Sequence, residues 1–405
     1  MTERGDYGEV NRHGIPPPPK LPFSQPKTLR TAALQNGVQP TSKLAFSRRL
    51  FLHSAAQRGY FGLPAKTILD EVQRVPEIFT SLKVAIDRRR TAGRFILTGS
   101  ANVLLVPRLA ESLAGRMGLL RLHPLAQCEI DRTRPRFLDA LFAGRFQTGI
   151  TERLGSDLTR RIVAGGYPAA LARRTATRRG AWYRDYVETQ IQRDVRDLAR
   201  IHSLDALPKL LALAATHTAT LINVADLSAP FELTRQTVHD YVTLLERVFL
   251  LERLPAWHTN RLSRMVKRPK LHMGDTGVAC ALLGIDAAAL DKDRMMFGSM
   301  LETFVFQELR RQASWRPVPI DFFHFRDRDD FEVDVVLEPG QQAVAGVEVK
   351  AAASVTEGDL RGLRKLRDAA GNRFAAGVVL YDGSATIPFG GHLYAVPLRA
   401  LWETP

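Results

Sequence analysis

The sequence predicts a multidomain α/β protein with a helical middle region, and three observations support this. The chain has 405 residues, which is enough for more than one hydrophobic core. Continuous apolar runs alternate with amphipathic helical patterns in the first and last thirds of the chain, as in sheets covered by helices. Helical periodicity dominates the stretch between them.

Composition and charge limit the kinds of protein that this sequence can encode. Hydrophobic residues make up 45% and charged residues 24%, which predicts folded soluble domains. The net charge of +15 favours a polyanionic partner, nucleic acid first, although genome bias explains an Arg- and Ala-rich chain equally well.

Cys128 and Cys280 are the two cysteines, which excludes a disulfide scaffold and favours the reducing cytoplasm. The sequence contains no apolar run of about 18 residues, so no membrane span is predicted.

The first predicted regions are a tail and an α/β domain. Residues 1–45 are mostly polar with a polyproline run, so we expect a disordered tail. Residues 46–155 form the first domain, with a short strand ending before Asp70, a helix over 79–90 and a second strand over 94–98. The basic end of that helix suits the dipole at a helix C-terminus.

Residues 156–255 are predicted to be helical, with a winged-helix outline at their end. A helix over 234–247 follows Thr234, which is a plausible N-cap, and a strand follows at 249–254. The side chains predicted to face outward from this helix are Arg235, Gln236 and His239. Winged helices bind DNA or protein partners, and both readings stay open at this stage.

For residues 256–405 the sequence predicts a different order of helices and strands, α-β-β-β-α-β. The predicted elements are a helix over 298–312, strands over 320–325, 332–337 and 344–349, a helix over 359–369 and a strand over 374–381. A Pro339-Gly340 turn joins the second and third of these strands as a hairpin.

The first domain contains residues typical of the Mg²⁺-binding half of an ATP site. Asp70 and Glu71 follow an apolar strand, as in a Walker B element, where one carboxylate holds Mg²⁺ and its neighbour orients water. Ser100 follows the next strand and could act as a polar sensor, and Arg116 could neutralise phosphate charge. A solvated strand end is an equally good reading of these residues.

The phosphate-binding half is missing. No GxxxxGK[ST] motif precedes Asp70, and the nearest imitation, residues 62–67, lacks the second glycine, carries Pro64 and leads into a strand instead of a helix. We therefore expect ATP binding to be weak or absent. The alternative is an ATPase whose P-loop is lost through a misassigned start.

A second constellation lies on the C-terminal hairpin. Alternate residues share one face of a strand, so Glu348 and Lys350 point together, and the hairpin turn can bring Asp334 beside them. Glu302 on the preceding helix could add a third carboxylate. Two or three carboxylates hold Mg²⁺ and a neighbouring lysine stabilises charge, which is the D…ExK pattern of the restriction-endonuclease-like fold. A salt-bridged hairpin without metal is the competing interpretation.

The ordered motifs resemble one family over roughly residues 46–402. The chain is similar to bacterial and archaeal AAA-type ATPases that carry a C-terminal domain of unknown function, DUF 4143. The segments that carry the resemblance are Ile68–Pro76, Phe95–Ala101, Ser112–Arg116, Leu122–Glu129, Gly165–Pro168, Tyr186–Asp194, Thr237–Leu245, Lys267–Gly277, Gly298–Glu308, Arg326–Asp334 and Gly346–Lys350.

The resemblance implies an AAA-type P-loop domain, a winged-helix-like middle and a nuclease-like C-terminal domain. By likeness, Asp70 and Glu71 match the Walker B positions and Ser100 a sensor-like position, while Asp334, Glu348 and Lys350 match the endonuclease-like motif. The Walker A segment of the family has no counterpart here, so the AAA-type domain is expected to be partial.

These observations predict a cytoplasmic, DNA-associated protein with a degenerate nucleotide site. Its C-terminal domain would cleave phosphodiesters with Mg²⁺ held by Asp334, Glu348 and Glu302, and Lys350 would assist catalysis. A non-catalytic module that binds DNA or protein is the first alternative. A complete ATPase with a missing N-terminal P-loop is the second.

Overall fold

The computed structural model describes residues 66–72, 75, 78–100, 113, 115–195, 205–231, 233–260, 264, 267–340 and 342–403. The predicted tail at 1–45 and most of the P-loop imitation at 62–67 lie outside these residues.

The first described elements form a small parallel sheet beside one helix. They are β1 (Thr67–Leu69), α1 (Ile78–Arg88) and β2 (Phe95–Leu97). Ile68 pairs with Ile96 in parallel, which confirms the predicted strand–helix–strand order. Helix α1 buries Phe79 and Leu82 on one face, because apolar residues spaced three or four apart line one side of a helix.

Helices then dominate from Gln127 onward, and those after position 156 lie in the region predicted to be helical. In chain order they are α2 (Gln127–Asp131), α3 (Phe137–Ala143), α4 (Ser156–Ala164), α5 (Pro168–Leu171), α6 (Ala176–Thr189), α7 (Ala206–Thr216), α8 (Val224–Ser228) and α9 (Arg235–Arg247). A π-helical turn at Gln190–Val195 extends α6.

Helix α9 begins where the sequence predicted. The Thr234 hydroxyl accepts a hydrogen bond from the Thr237 backbone N–H at 3.1 Å, which caps the helix. Val238 and Leu245 are buried on its inner face, whereas Arg235 and His239 are exposed. The winged-helix assignment of this region stays a prediction.

A three-stranded antiparallel sheet connects the helical region to the C-terminal part. Its strands are β3 (Thr220–Leu221), β4 (Leu251–Leu254) and β5 (Lys270–Met273), with β5 in the centre. The two strands beside β5 in the sheet, β3 and β4, both pair with its backbone, so the position of β5 is fixed on two sides.

The C-terminal part has the predicted α-β-β-β-α-β order. Its elements, after α10 (Thr276–Leu283) and α11 (Ala287–Lys292), are α12 (Arg294–Ala313), β6 (Ile320–Arg326), β7 (Glu332–Pro339), β8 (Val344–Lys350), α13 (Arg361–Ala370) and β9 (Phe374–Tyr381), followed by β10 (Ile387–Pro388) and β11 (Leu393–Pro397). The sheet order is β10-β11-β9-β8-β7-β6, with β8 parallel to β9 and antiparallel to β7.

One hydrophobic cluster runs through the middle and C-terminal regions, from Ala126 to Trp402. A second cluster packs Leu363 and Leu366 of α13 against Val333 and Val379 of the sheet. The cluster that starts at Ala126 contains residues on both sides of position 255, where the sequence suggested a domain boundary. None of the described helices is long and apolar enough to cross a membrane.

A buried ion pair joins the helical region to the C-terminal part. Asp275 caps α10 by accepting from Gly277 N at 2.9 Å, and its other oxygen accepts from Gly166 N at 2.9 Å and Arg311 Nη2 at 2.8 Å. Arg311 also donates to the Leu125 carbonyl at 3.0 Å. A Cβ at position 166 would lie 2.6 Å from that carbonyl oxygen, so only glycine fits this contact.

We expect Asp275→Ala to lower the free energy of unfolding by about 3–5 kcal/mol, because it leaves the buried Arg311 without its partner. Asp286→Ala is the matched control: Asp286 caps α11 from an exposed position, so its loss should cost about 1 kcal/mol. Urea denaturation of both variants measures the difference. Equal losses would show that the buried pair contributes nothing beyond a helix cap.

Candidate functional site: a carboxylate cluster around Lys270

Two strands and one helix bring the three predicted metal-ligand carboxylates into one cluster. Strands β7 and β8 pair Val335 with Val347, and the same antiparallel register places Asp334 opposite Glu348. The Asp334 Oδ2 atom also accepts a hydrogen bond from Val349 N at 2.9 Å. Glu302 reaches the cluster from α12. The Asp334 side chain is therefore bonded to the strand that carries Glu348, one residue beyond that glutamate.

A lysine from the neighbouring sheet occupies the centre of this cluster. The Lys270 Nζ atom lies 2.7 Å from Glu302 Oε1, 2.5 Å from Glu332 Oε1 and 3.2 Å from Asp334 Oδ1. Its side chain is only 3% exposed. Because Lys270 is the first residue of β5, the three-stranded sheet supplies the cation and the six-stranded sheet, with α12, supplies the anions.

The cluster holds more carboxylates than cations, and the protonation equilibria reflect this. Burial, and next the charge of Asp334, raise the pKa of Glu348 well above its usual value. The pKa of Glu302 is raised for the same two reasons, with Lys270 opposing them. Burial alone would lower the pKa of Lys270, but Asp334, Glu302 and Glu332 together raise it well above the usual lysine value. Lys270 is therefore fully charged.

Glu348 has one oxygen without a partner. Within the described residues, its buried Oε2 atom makes no hydrogen bond. A buried, unsatisfied carboxylate oxygen is costly unless a proton, a water molecule or a cation satisfies it. This atom is the clearest sign that the cluster can accept something more than Lys270.

Lys350 lies at the rim of the cluster. Its Nζ atom is 3.2 Å from Asp359 Oδ1, and its side chain is 36% exposed. Burial lowers its pKa, but the hydrogen bond to Asp359 and the charge of Glu348 outweigh this and raise it overall. Lys350 is thus a protonated donor facing solvent, which suits stabilisation of negative charge and excludes a role as a base at neutral pH.

Sequence reasoning missed two members of the cluster. Neither Lys270 nor Glu332 is among the site residues that the sequence predicts. The available signal was that a lysine opens the strand Lys270–Met273, whose four residues are all buried, because an uncompensated lysine would be too costly to bury there.

The ligand chemistry of the cluster fits a hard divalent cation, since Asp334, Glu348 and Glu302 offer carboxylate oxygens. The present arrangement is nevertheless organised around Lys270. In the part of the chain that the structure describes, no group of three His, Cys, Asp or Glu side chains is spaced to hold a metal ion. Lys270 and a metal ion would compete for the same oxygen atoms.

The predicted nucleotide-site residues lie at the carboxyl ends of β1 and β2. Asp70 accepts a hydrogen bond from the Thr98 hydroxyl, so the two strand ends are adjacent, as parallel pairing requires. Glu71 has a left-handed backbone with φ of 54°, and Ser100 is half-buried after β2. Arg116 forms a bidentate ion pair with Asp87 of α1, with Nε–Oδ1 and Nη2–Oδ2 distances of 2.8 and 3.0 Å.

We expect Lys270→Met to lower the free energy of unfolding by about 3–5 kcal/mol, because three carboxylates lose their shared cation. Millimolar Mn²⁺ should raise the melting temperature of this variant more than that of the unmodified protein, since the ion can take the vacated position. Differential scanning calorimetry with and without Mn²⁺ measures both effects.

Lys350→Met is the control for this comparison. It removes a half-exposed lysine at the rim, so its cost should be about 1 kcal/mol or less. An equal Mn²⁺ response in Lys270→Met and the unmodified protein would contradict competition between Lys270 and a metal ion.

Three family matches cover most of the chain. Residues 30–131 match a family described as an AAA domain, residues 155–289 a domain of unknown function, DUF8612, and residues 297–401 another domain of unknown function, DUF4143. The resemblance to AAA-type proteins with a C-terminal DUF4143 domain is thereby confirmed, as is the mixed α/β fold class. The predicted domain boundaries stay predictions.

Two curated relatives are uncharacterized proteins. Rv2008c of Mycobacterium tuberculosis and Mb2031c of Mycobacterium bovis are each 27% identical over 346 residues, which is 85% of this chain and 70% of theirs. Their descriptions state no activity.

Two solved structures are distantly similar. One is an assembly of Thermococcus gammatolerans McrB AAA+ hexamers with bound McrC, at 12% identity, 46% coverage of each chain and a TM-score of 0.20. The other is protein VC1899 of Vibrio cholerae, at 10% identity, 81% and 79% coverage and a TM-score of 0.21. TM-scores this low carry no argument about this chain.

Proposed function

We propose that this protein, which combines an AAA domain with a C-terminal DUF4143 domain, associates with DNA, and that its C-terminal domain cleaves phosphodiester bonds with Mg²⁺. The observation that carries the proposal is that Lys270 Nζ contacts both Asp334 and Glu302, while Asp334 also accepts from Val349 N on the strand that carries Glu348 and the rim residue Lys350. The net charge of +15 supports a polyanionic substrate.

Each residue has a separate role in this proposal. Asp334, Glu348 and Glu302 would hold Mg²⁺, which when bound lowers the pKa of water and polarises a phosphoryl oxygen. The protonated Lys350 donates a hydrogen bond to a non-bridging phosphate oxygen and so stabilises the extra negative charge as the phosphodiester is attacked. Lys270 keeps the carboxylates together before the substrate arrives, because they would otherwise repel one another.

We expect Asp334→Asn to reduce Mg²⁺- or Mn²⁺-dependent nicking of plasmid DNA by at least about 100-fold, because it removes a carboxylate from the metal-binding set. Agarose gels that follow conversion of supercoiled to open circular plasmid measure the rate. Asp321→Asn, an exposed aspartate on the adjacent strand β6, is the matched control and should leave the rate unchanged. Equal nicking by both variants, or by neither variant nor the unmodified protein, contradicts the nuclease proposal.

One observation favours a second candidate, a non-catalytic DNA- or protein-binding module. Lys270 already satisfies Glu302, Glu332 and Asp334, and a buried lysine can replace a metal ion permanently. The exposed face of α9, with Arg235, would then be the contact for DNA or for a protein partner. DNA binding without cleavage in the plasmid experiment is the result expected for this candidate.

The nucleotide site is proposed to be degenerate. Asp70 and Thr98 are adjacent at the ends of parallel strands, which supports a Walker B and sensor arrangement, but the sequence contains no GxxxxGK[ST] loop. Two buried free thiols, Cys128 and Cys280, support a reducing cytoplasmic location.

We expect isothermal titration of the purified protein with Mg²⁺-ATP to give no saturable heat in the micromolar range, because the sequence contains no GxxxxGK[ST] motif whose backbone could bind the phosphates. Asp70→Asn is the companion variant and should behave identically. Saturable binding that Asp70→Asn weakens would instead support the ATPase alternative.

A further inference from the structure

A second functional candidate lies beside the carboxylate cluster, in a cavity of about 770 Å³. Residues from β3, from β6, from α13 and from the chain before β5 line it. Its volume is in the range of sites that enclose a small ligand or one unit of a polymer.

The cavity wall carries a strong excess of positive charge. Its cationic side chains are Lys267, Arg268, Arg326, Arg328 and Lys365, its imidazoles are His258 and His324, and its one carboxylate is Asp327. Asp327 is occupied by its own turn, since its Oδ1 atom accepts from Asp329 N and Phe331 N, each at 2.9 Å. The wall therefore attracts anions.

Some of these cations have local partners and others do not. Arg326 pairs with Asp330 at 3.0 Å, and Lys365 lies 3.8 Å from Asp329. Arg268 and Arg328 form no ion pair within the described ranges and are exposed. Two guanidinium groups facing one concavity repel each other unless an anion lies between them.

The cavity adjoins the carboxylate cluster. Arg268 lies two residues before Lys270, and Leu221, which lines the cavity, pairs with Lys270 across the sheet. Arg326, on the cavity wall, pairs in register with Glu332 of the cluster, and its Nη1 atom is 3.9 Å from Glu332 Oε2. The cavity wall and the cluster therefore share paired strand positions in both sheets.

We propose that this cavity binds consecutive phosphates of a single nucleic-acid strand and holds the strand against the carboxylate cluster. The proposal rests on the proposed function and gives it a substrate-binding surface. Arg268 and Arg328 contact the phosphates, since guanidinium groups bind phosphate oxygens through paired N–H donors. Apolar wall residues such as Leu221 and Ala256 lie beside them and tolerate any base sequence.

The test measures binding separately from cleavage. Fluorescence anisotropy follows a labelled single-stranded oligonucleotide on the full chain carrying Asp334→Asn, in the presence of EDTA and over a series of salt concentrations. Adding Arg268→Ala and Arg328→Ala should weaken binding by about tenfold at moderate salt and make the log–log salt slope shallower by about 1.4, because two phosphate contacts are lost.

The matched control removes the same charge elsewhere. Arg173→Ala with Arg174→Ala deletes two exposed arginines that precede α6 and should change affinity and slope much less. Circular dichroism confirms that both double variants remain folded. Equal effects of the two double variants, or no oligonucleotide binding before substitution, overturn the proposal.

A competition arm separates a nucleic-acid strand from a free phosphate compound. Inorganic triphosphate and ATP should displace the oligonucleotide only at concentrations where they act as added salt. Tight triphosphate binding that Arg268→Ala with Arg328→Ala abolishes, with oligonucleotide binding unchanged, overturns the assignment to a strand. If oligonucleotide binding depends on the cavity arginines but plasmid is not nicked, only the nuclease proposal is wrong. If plasmid is nicked but binding does not depend on the cavity arginines, only this inference is wrong.

Discussion

The contact of Lys270 with Glu302, Glu332 and Asp334 is the interaction on which the organisation of this site depends. It joins two sheets through charge: the lysine begins the central strand of one, and carboxylates come from the other and from the long helix beside it. Neither group could be buried alone, because an uncompensated charge in a protein interior costs on the order of several kcal/mol. The two sheets are therefore coupled at the place where chemistry is proposed.

The same short segment organises both ends of this coupling. Strand β5 starts with Lys270 in the cluster, and two residues after its end Asp275 caps α10 and binds Arg311. Arg311 lies on α12, the helix that also carries Glu302. A shift of β5 along its own direction would therefore disturb the cluster and the buried ion pair together. One hydrophobic cluster also spans the middle and C-terminal regions.

Charge is divided between two adjacent surfaces. The cluster has an excess of carboxylates, and burial together with the charge of Asp334 raises the pKa of Glu302 and Glu348. The neighbouring cavity has an excess of arginine and lysine. Phosphate chains are attracted by the second surface and repelled by the first unless a cation intervenes. Under the proposed nuclease function, a metal ion at the cluster would have to precede the substrate, whereas under the alternative of a binding module the cavity would hold a strand without one.

The sequence by itself determined the elements and the hairpin pair. Period-two and period-3.6 patterns gave the α-β-β-β-α-β order, the Thr234 cap and the placement of Asp334 beside Glu348, because these depend on local backbone geometry. Tertiary structure alone decided the rest. Lys270 lies 64 positions before Asp334 in the chain, and Arg116 meets Asp87 instead of standing out as a lone cation, because such contacts depend on how separate elements pack, which no local pattern encodes.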